Sequence, residues 1–262
     1  MNIRKYGSDP YKCVVVHGGP GAPGSASSLA RQLSKTCNVL EPFQTEDTVF
    51  GQVKELHNQI IENTQNKVFV FGHSWGAWIV YMLAYKHPEI IEKVFLIGSG
   101  VFDVSYLPEL ERRRLDALNE DEQFEYKHLV SLLLQKNENN DKNLKRLGEL
   151  AEKADSYNVE EIDENVEQLI KIDGKQFQRV WNEASKMRGN GYFIEIAGKI
   201  NCPIRIIHGD KDTTPIEGVI DPIKDHIKNI KWYEIEKCGH CPWKEKYGKD
   251  RFFEIIKEEL SL

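Results

Sequence analysis

Along the chain, short runs rich in Val, Ile and Phe alternate with longer stretches whose apolar residues recur at helical spacing. That rhythm predicts a largely parallel sheet joined by crossover helices. Strands are expected near Cys13–His17, Asn38–Pro42, Lys67–Phe71, Lys93–Gly98, Ile204–His208 and Lys231–Ile235. Helices are expected over Ser27–Lys35, Thr48–Asn63, Trp75–Lys86, Ile216–Lys228 and Glu245–Leu260. Each strand runs into a polar or Gly-rich loop, and open α/β sheets place their ligands at those strand ends.

Between Gly100 and about Gly198 the pattern changes. No strand is evident there, and the stretch is dense in Glu, Lys, Asn and Leu. Leu110–Leu118, Phe124–Leu134, Leu144–Ala154 and Val166–Ile172 have the spacing of amphipathic helices, with joints at the polar gap Gln135–Lys142 and the Asp173-Gly174 turn. Recurrent Leu, Ile and Phe at that spacing argue against a disordered acidic linker. The expected organisation is a sheet domain over residues 1–100 and 199–262, interrupted by a helical cap over 101–198.

Composition adds constraints. The 262 residues suffice for one α/β domain with an insertion. The net charge of −6 argues against a nucleic-acid or anionic-membrane partner. No apolar run is long enough to span a bilayer, and Met1–Tyr11 is too polar for a signal peptide. The five cysteines do not suit a secreted disulfide framework, so a cytoplasmic protein is expected.

The chemistry centres on Gly72-His73-Ser74-Trp75-Gly76, set directly between a predicted strand and a predicted helix. G-x-S-x-G in that context is a nucleophile elbow, whose glycines admit a turn too tight for side chains. A serine hydroxyl needs a base and a carboxylate to orient that base, in the chain order Ser, acid, His. Loops after two later strands supply Gly209-Asp210-Lys211-Asp212 and Cys238-Gly239-His240. Spacing alone leaves Asp210 and Asp212 both open as the acid. His57, His87, His128 and His226 fall on predicted helices or at their ends and read as surface residues. His73, His17 and His208 read as hydrogen-bond partners for loops.

His17-Gly18-Gly19-Pro20-Gly21 ends the first strong strand. Glycines there let backbone N–H groups approach a developing oxyanion, and the N–H of Gly19 with that of Trp75 would form the hole. A phosphate-binding reading of Gly19 to Gly24 fails, because position 25 is Ser where the P-loop lysine would stand. Cys238-Gly239-His240-Cys241 matches the CGHC of dithiol oxidoreductases, but it lies near the C-terminus and contains the expected base. A reversible disulfide there, distorting the His240 loop, is a second use of the same residues. No ligand set for a metal is evident, and no cofactor is required.

With these motifs in this order the chain resembles the α/β-hydrolase superfamily. Within it, HGGPG and the Trp after the nucleophile are similar to the prolyl aminopeptidase (proline iminopeptidase) group. The resemblance spans roughly residues 11–100 and 200–260. It implies an α/β-hydrolase fold with a mostly parallel sheet and an inserted helical cap. The family's G-x-x-D loop favours Asp212 over Asp210, and its C-terminal G-H pair corresponds to Gly239-His240. Those aminopeptidases hold the substrate's amino group with acidic cap residues, for which Glu183 is the candidate by position. The superfamily usually has two strands before the one leading to HGGPG; here one short strand near Ile3–Tyr6 fits, a version trimmed at the N-terminus. The implied activity is cofactor-independent hydrolysis, through an acyl-enzyme, of a small-molecule or short-peptide substrate. Alternatives are a carboxylesterase, a thioesterase, or a slow-turnover ligand sensor on the same fold.

Overall fold

The computed structural model describes residues 2–133, 135, 140–160 and 172–260. Seven strands form one sheet: β1 (Ile3–Tyr6), β2 (Cys13–Val16), β3 (Val39–Pro42), β4 (Val68–His73), β5 (Ile91–Ile97), β6 (Ile204–Gly209) and β7 (Ile230–Ile235). Their order is β1-β3-β2-β4-β5-β6-β7, with β1 antiparallel to β3 and the other pairs parallel. The order reverses beside β2, the kind of switch point where α/β sheets open a crevice at the strand C-termini.

The inner strands β2, β4, β5 and β6 are mostly apolar because both faces of the sheet are covered there, whereas the edge strands β1 and β7 carry exposed polar residues. Register turns the two-residue alternation into separate cores. Val14, Val70, Val94 and Ile204 pair in one row across β2, β4, β5 and β6. They point into a core shared with α2 (Val49–Ile61) and α3 (Trp75–Lys86). Phe71 and Phe95, one residue on, point the other way and stack at 4.4 Å. They meet α1 (Ser27–Leu33) and α10 (Lys249–Leu260).

Local chemistry explains the helices. In α2 the residues Val49, Val53, Leu56 and Ile60 form one buried stripe, and the Thr48 side chain caps the helix by accepting from Gly51 N. Every residue of α3 from Trp75 to Ala84 is buried, since the sheet covers one side and α2 and α8 (Tyr192–Ala197) cover the others.

Between β5 and β6 lie α4 (Leu107–Asp116), α5 (Glu120–Leu133), α6 (Asn140–Asp155), α7 (Gly174–Gly189) and α8. The expected helix over Val166–Ile172 falls almost wholly outside the described residues. Asp173 stands at the start of α7, where its carboxylate accepts from Lys175 N and Gln176 N as the helix cap. Two further expectations are shortened. The helix expected over Ile216–Lys228 is reduced to α9 (Glu217–Ile220) followed by turns, because Pro222 cannot donate to the helical ladder. The last helix begins at Lys249, since Glu245 faces inward to bind backbone of the insertion. None of the described helices is long and apolar enough to cross a membrane.

The buried Glu259 pins α10 to the sheet. Its carboxylate accepts from Lys93 Nζ at 2.8 Å, Arg205 Nε at 2.6 Å and Tyr233 Oη at 2.6 Å, tying β5, β6 and β7 together. Burial opposes its ionisation, but the donors of Lys93, Tyr233 and Arg205 outweigh that and hold its pKa at about 2. A depressed carboxylate pKa stabilises the fold above the unfolded value and loses that contribution as pH falls toward the folded one. Glu259→Gln is therefore expected to destabilise the protein by about 1–3 kcal/mol near neutral pH. Denaturant titrations of both proteins should converge as pH falls from about 4.5 toward about 2; a difference unchanged by pH would remove the charge from this explanation.

Candidate active site

At the C-terminal end of β4 the chain turns into α3 through Ser74, which adopts φ 53° and ψ −113°. A positive φ costs a residue with a Cβ on the order of 1 kcal/mol or more, so the surroundings must impose it. They do so by close packing. A Cβ on Gly76 would lie 2.5 Å from the Val16 carbonyl oxygen and 2.6 Å from that of His17, so α3 seats directly on the backbone leaving β2. Ser74 N–H donates to Ile97 O at 2.9 Å, fixing the turn to β5 as well. Ser74 itself is partly exposed.

The loop after β2 passes over this turn. A Cβ on Gly18 would come 3.2 Å from Ser74 Cβ. Gly18 N–H donates to Ser25 Oγ, and the buried His17 ring contacts Gly18 O at 3.0 Å. Burial lowers the His17 pKa to about 4, so this imidazole is neutral near pH 7 and acts as the loop partner expected of it. Gly19 follows at φ 61° and is partly exposed. The N–H of Trp75 heads α3, where an amide has no intrahelical acceptor. The Trp75 indole is anchored to α2 through Gln52 Oε1 at 3.1 Å.

The loops after β6 and β7 supply the titrating groups. His240 Nδ1 and Asp212 Oδ2 are 2.7 Å apart, while Asp212 Oδ1 accepts from Thr214 N at 2.8 Å. Asp210 instead accepts from Cys238 N and pairs with Lys211, so it serves the loop and does not meet the imidazole. Burial works against charge on Asp212, but His240, His208 and the Thr214 N–H hold its pKa well below the usual carboxylate range. An ionised Asp212 makes Nδ1 the donor and leaves Nε2 of His240 as the basic nitrogen. Burial also opposes protonation of His240, but the adjacent Asp212 charge and hydrogen bond, with Asp155 nearby, raise its pKa above the ordinary value. His208 turns its Nε2 to Thr214 O at 2.8 Å, again a loop partner.

His240 is brought to the elbow by His73, whose Nε2 lies 3.2 Å from the His240 carbonyl oxygen and whose ring packs edge-on at 4.7 Å. Burial and the neighbouring His240 push the His73 pKa well down, so His73 stays neutral. Cys241 Sγ sits 3.6 Å from His73 Nε2, whereas the buried Cys238 sulfur lies 3.6 Å from Gly239 O. Neither forms a disulfide, and the two sulfurs serve different neighbours.

Several residues here have no signal in the sequence. The His240 N–H donates to Asp155 O at 2.9 Å. The buried Asp155 carboxylate takes a two-pronged pair from Arg114, at 2.9 and 2.6 Å, and also accepts from Thr213 Oγ1. Glu245, fully buried, accepts from Tyr157 N and Asn158 N at 2.9 and 2.7 Å. The insertion is thus sewn to the His240 loop. Glu183, on α7, accepts at Oε2 from Val49 N–H at 2.8 Å and so caps the start of α2. Two histidines read as surface residues, His57 and His87, stack at 3.8 Å with Glu89 beside them. Their ligand atoms lie within 4.8 Å of one another, close enough to share a cation, although Lys54 and Lys86 line the same groove.

A positive-φ serine at a strand–helix turn, a glycine loop against it and a carboxylate-bound imidazole held on the adjacent His73 meet at the C-terminal edge of the sheet. The chain belongs to the α/β hydrolase fold family, whose sequence model matches residues 14–247. No curated protein sequence matches it significantly. Among solved structures, VinJ superposes with a TM-score of 0.67 at 17% identity, covering 99% of this chain and 94% of the other. A proline iminopeptidase of Mycobacterium smegmatis gives 0.63 at 14%, covering 99% and 93%. A putative lipase of Acinetobacter baumannii gives 0.63 at 17%, covering 99% and 88%. At these identities the likeness is one of fold.

The raised pKa of His240 is open to direct measurement. An NMR titration of its ring should give a midpoint above the ordinary 6.5, and Asp212→Asn should bring that midpoint down. An unchanged midpoint in the variant would mean that Asp212 does not set the charge of the imidazole.

Proposed function

We propose that this α/β-hydrolase is a serine hydrolase that needs no cofactor and works through an acyl-enzyme. The observation that carries the reading is the bond between His240 Nδ1 and Asp212 Oδ2, held against the turn that strains Ser74. Ser74 Oγ attacks the substrate carbonyl carbon while its proton passes to His240 Nε2. The N–H groups of Gly19 and Trp75 stabilise the oxyanion, a contribution of about 3–4 kcal/mol for each donor. Collapse expels the leaving group, which takes the proton from His240. Water then adds to the acyl carbon with His240 again as base, releasing the acid and restoring Ser74. Asp212 stays ionised throughout and keeps the imidazole oriented.

The substrate we infer is a small molecule or short peptide bearing an ester or amide. Glu183 favours the ester, because its Oε2 is committed to the Val49 N–H. That leaves the candidate anchor for a substrate's amino group occupied in helix capping. An aminopeptidase on the proline iminopeptidase pattern is the second reading, supported by HGGPG at His17–Gly21.

Steady-state hydrolysis of p-nitrophenyl butyrate beside proline β-naphthylamide tests both. Turnover of the ester is expected, with kcat/KM reduced by about 10⁴-fold or more in Ser74→Ala. The rate should fall as pH drops through the raised pKa of His240, because the base must be neutral. Proline amide turnover that disappears in Ser74→Ala would move the assignment to the aminopeptidase. Activity that survives in Ser74→Ala, or none on either compound together with no labelling of Ser74 by a fluorophosphonate, would overturn the hydrolase reading.

A further inference from the structure

Arg188 lies near the end of α7 and is only 8% exposed. Long cationic side chains are seldom this deeply buried unless paired. Yet among the described residues no carboxylate meets its guanidinium, and its Nε is buried with no hydrogen-bond partner. What surrounds it is aromatic: Cζ sits 5.2 Å from the Trp78 ring centre and 6.0 Å from that of Trp181. The C-terminal end of a helix suits a cation, and so do indole faces. Neither gives the buried Nε a hydrogen-bond partner. Burial alone accounts for its pKa, lowered to about 10.

The cluster is continuous with the nucleophile. Trp75 follows Ser74 and packs 5.9 Å from Trp78 and 6.4 Å from Trp181, while Trp78 and Trp181 lie parallel at 6.0 Å. Phe177, stacked 5.8 Å from Trp181, carries the aromatic surface back to the glycine loop, where the N–H of Asp173 donates to Gly21 O. Phe177, Trp181 and Arg188 share one face of α7, at spacings of four and seven residues. Trp78 stands one helical turn past Ser74, about 6 Å along α3. With the guanidinium 5.2 Å from the centre of that ring, nucleophile and cation are separated by on the order of 10 Å.

We propose that Arg188 is a specificity-determining residue that binds a carboxylate at the far end of the acyl chain attacked by Ser74, so that the substrates are half-esters or half-amides of short aliphatic dicarboxylic acids. The planar fork of arginine matches a carboxylate through two parallel hydrogen bonds. The indole walls accept the methylenes between the two ends. The insertion therefore offers a cation to the substrate where an aminopeptidase would offer an anion. This inference rests on the hydrolase reading for the position of the scissile bond, but not for the existence of the anion site.

The test compares mono-p-nitrophenyl adipate with p-nitrophenyl hexanoate, the same chain without its terminal carboxylate. The protein should prefer the adipate ester in kcat/KM by about tenfold or more, a difference of about 1.4 kcal/mol. Arg188→Met should abolish the preference and Arg188→Lys should retain part of it. Independently of turnover, adipate should bind Ser74→Ala in calorimetry and quench its tryptophan fluorescence, whereas adipamide should not. That comparison needs no Arg188 variant and holds even if Arg188→Met fails to fold. Failure of the hydrolase reading would appear as no ester turnover with adipate still bound. Equal rates on the two esters, together with no adipate binding above that of adipamide, would overturn the carboxylate site.

Discussion

Everything at the functional end of the molecule depends on how closely α3 approaches the sheet. With no side chain at Gly76, the helix rests on the carbonyls of Val16 and His17. The chain between β4 and α3 then has too little room for an ordinary turn, and Ser74 absorbs the difference with a φ of 53°. The local strain is repaid by the packing of a helix buried on all sides, whose burial is worth roughly 25 cal/mol for each Å² of apolar surface. One contact thus sets the direction of the serine and the position of the glycine loop above it. It also places the N-terminal amides of α3 beside them.

Around that turn the charges are few and assigned. His17 and His73 are kept neutral by burial, so they shape loops without competing for protons. Asp212 is ionised and spends that charge on one imidazole. Asp155 and Glu245 are buried acids whose oxygens are taken up by Arg114, Thr213 and backbone amides. A buried carboxylate without such partners would cost several kcal/mol, which is why each has them. Among the described residues, Arg188 stands apart as a buried cation matched only by aromatic rings.

Much of this is legible in the amino-acid sequence, for a specific reason. Buried parallel strands are written as compact apolar runs, so Cys13–Val16, Val68–His73 and Ile204–Gly209 are recoverable to within a residue or two. The elbow is legible because steric demand puts glycine on both sides of Ser74, and the loops carrying Asp212 and His240 follow strands that are themselves legible. The misreadings are local competitions. Pro222 interrupts a helix whose apolar spacing continues through it, and Glu245, expected inside the last helix, instead turns inward to bind backbone. Asp155, Arg114 and Arg188 are invisible for a different reason. In a stretch crowded with charged side chains, nothing local separates the few that become buried from the many that remain in water. Their partners lie tens of residues away, as Arg114 does from Asp155.

In many two-part enzymes the part that selects and the part that reacts can be exchanged independently. Here they are joined at the proposed base itself, since the backbone of His240 hangs from the last residue of α6 and the adjoining segment is gripped by Glu245. A graft that replaced the insertion to change specificity would remove the support of the imidazole at the same time. Substitution within the helices, with Asp155 and its partners left in place, is the route by which this scaffold can acquire new substrates. The same linkage means that a ligand tightening or loosening the insertion is felt at His240 without touching it.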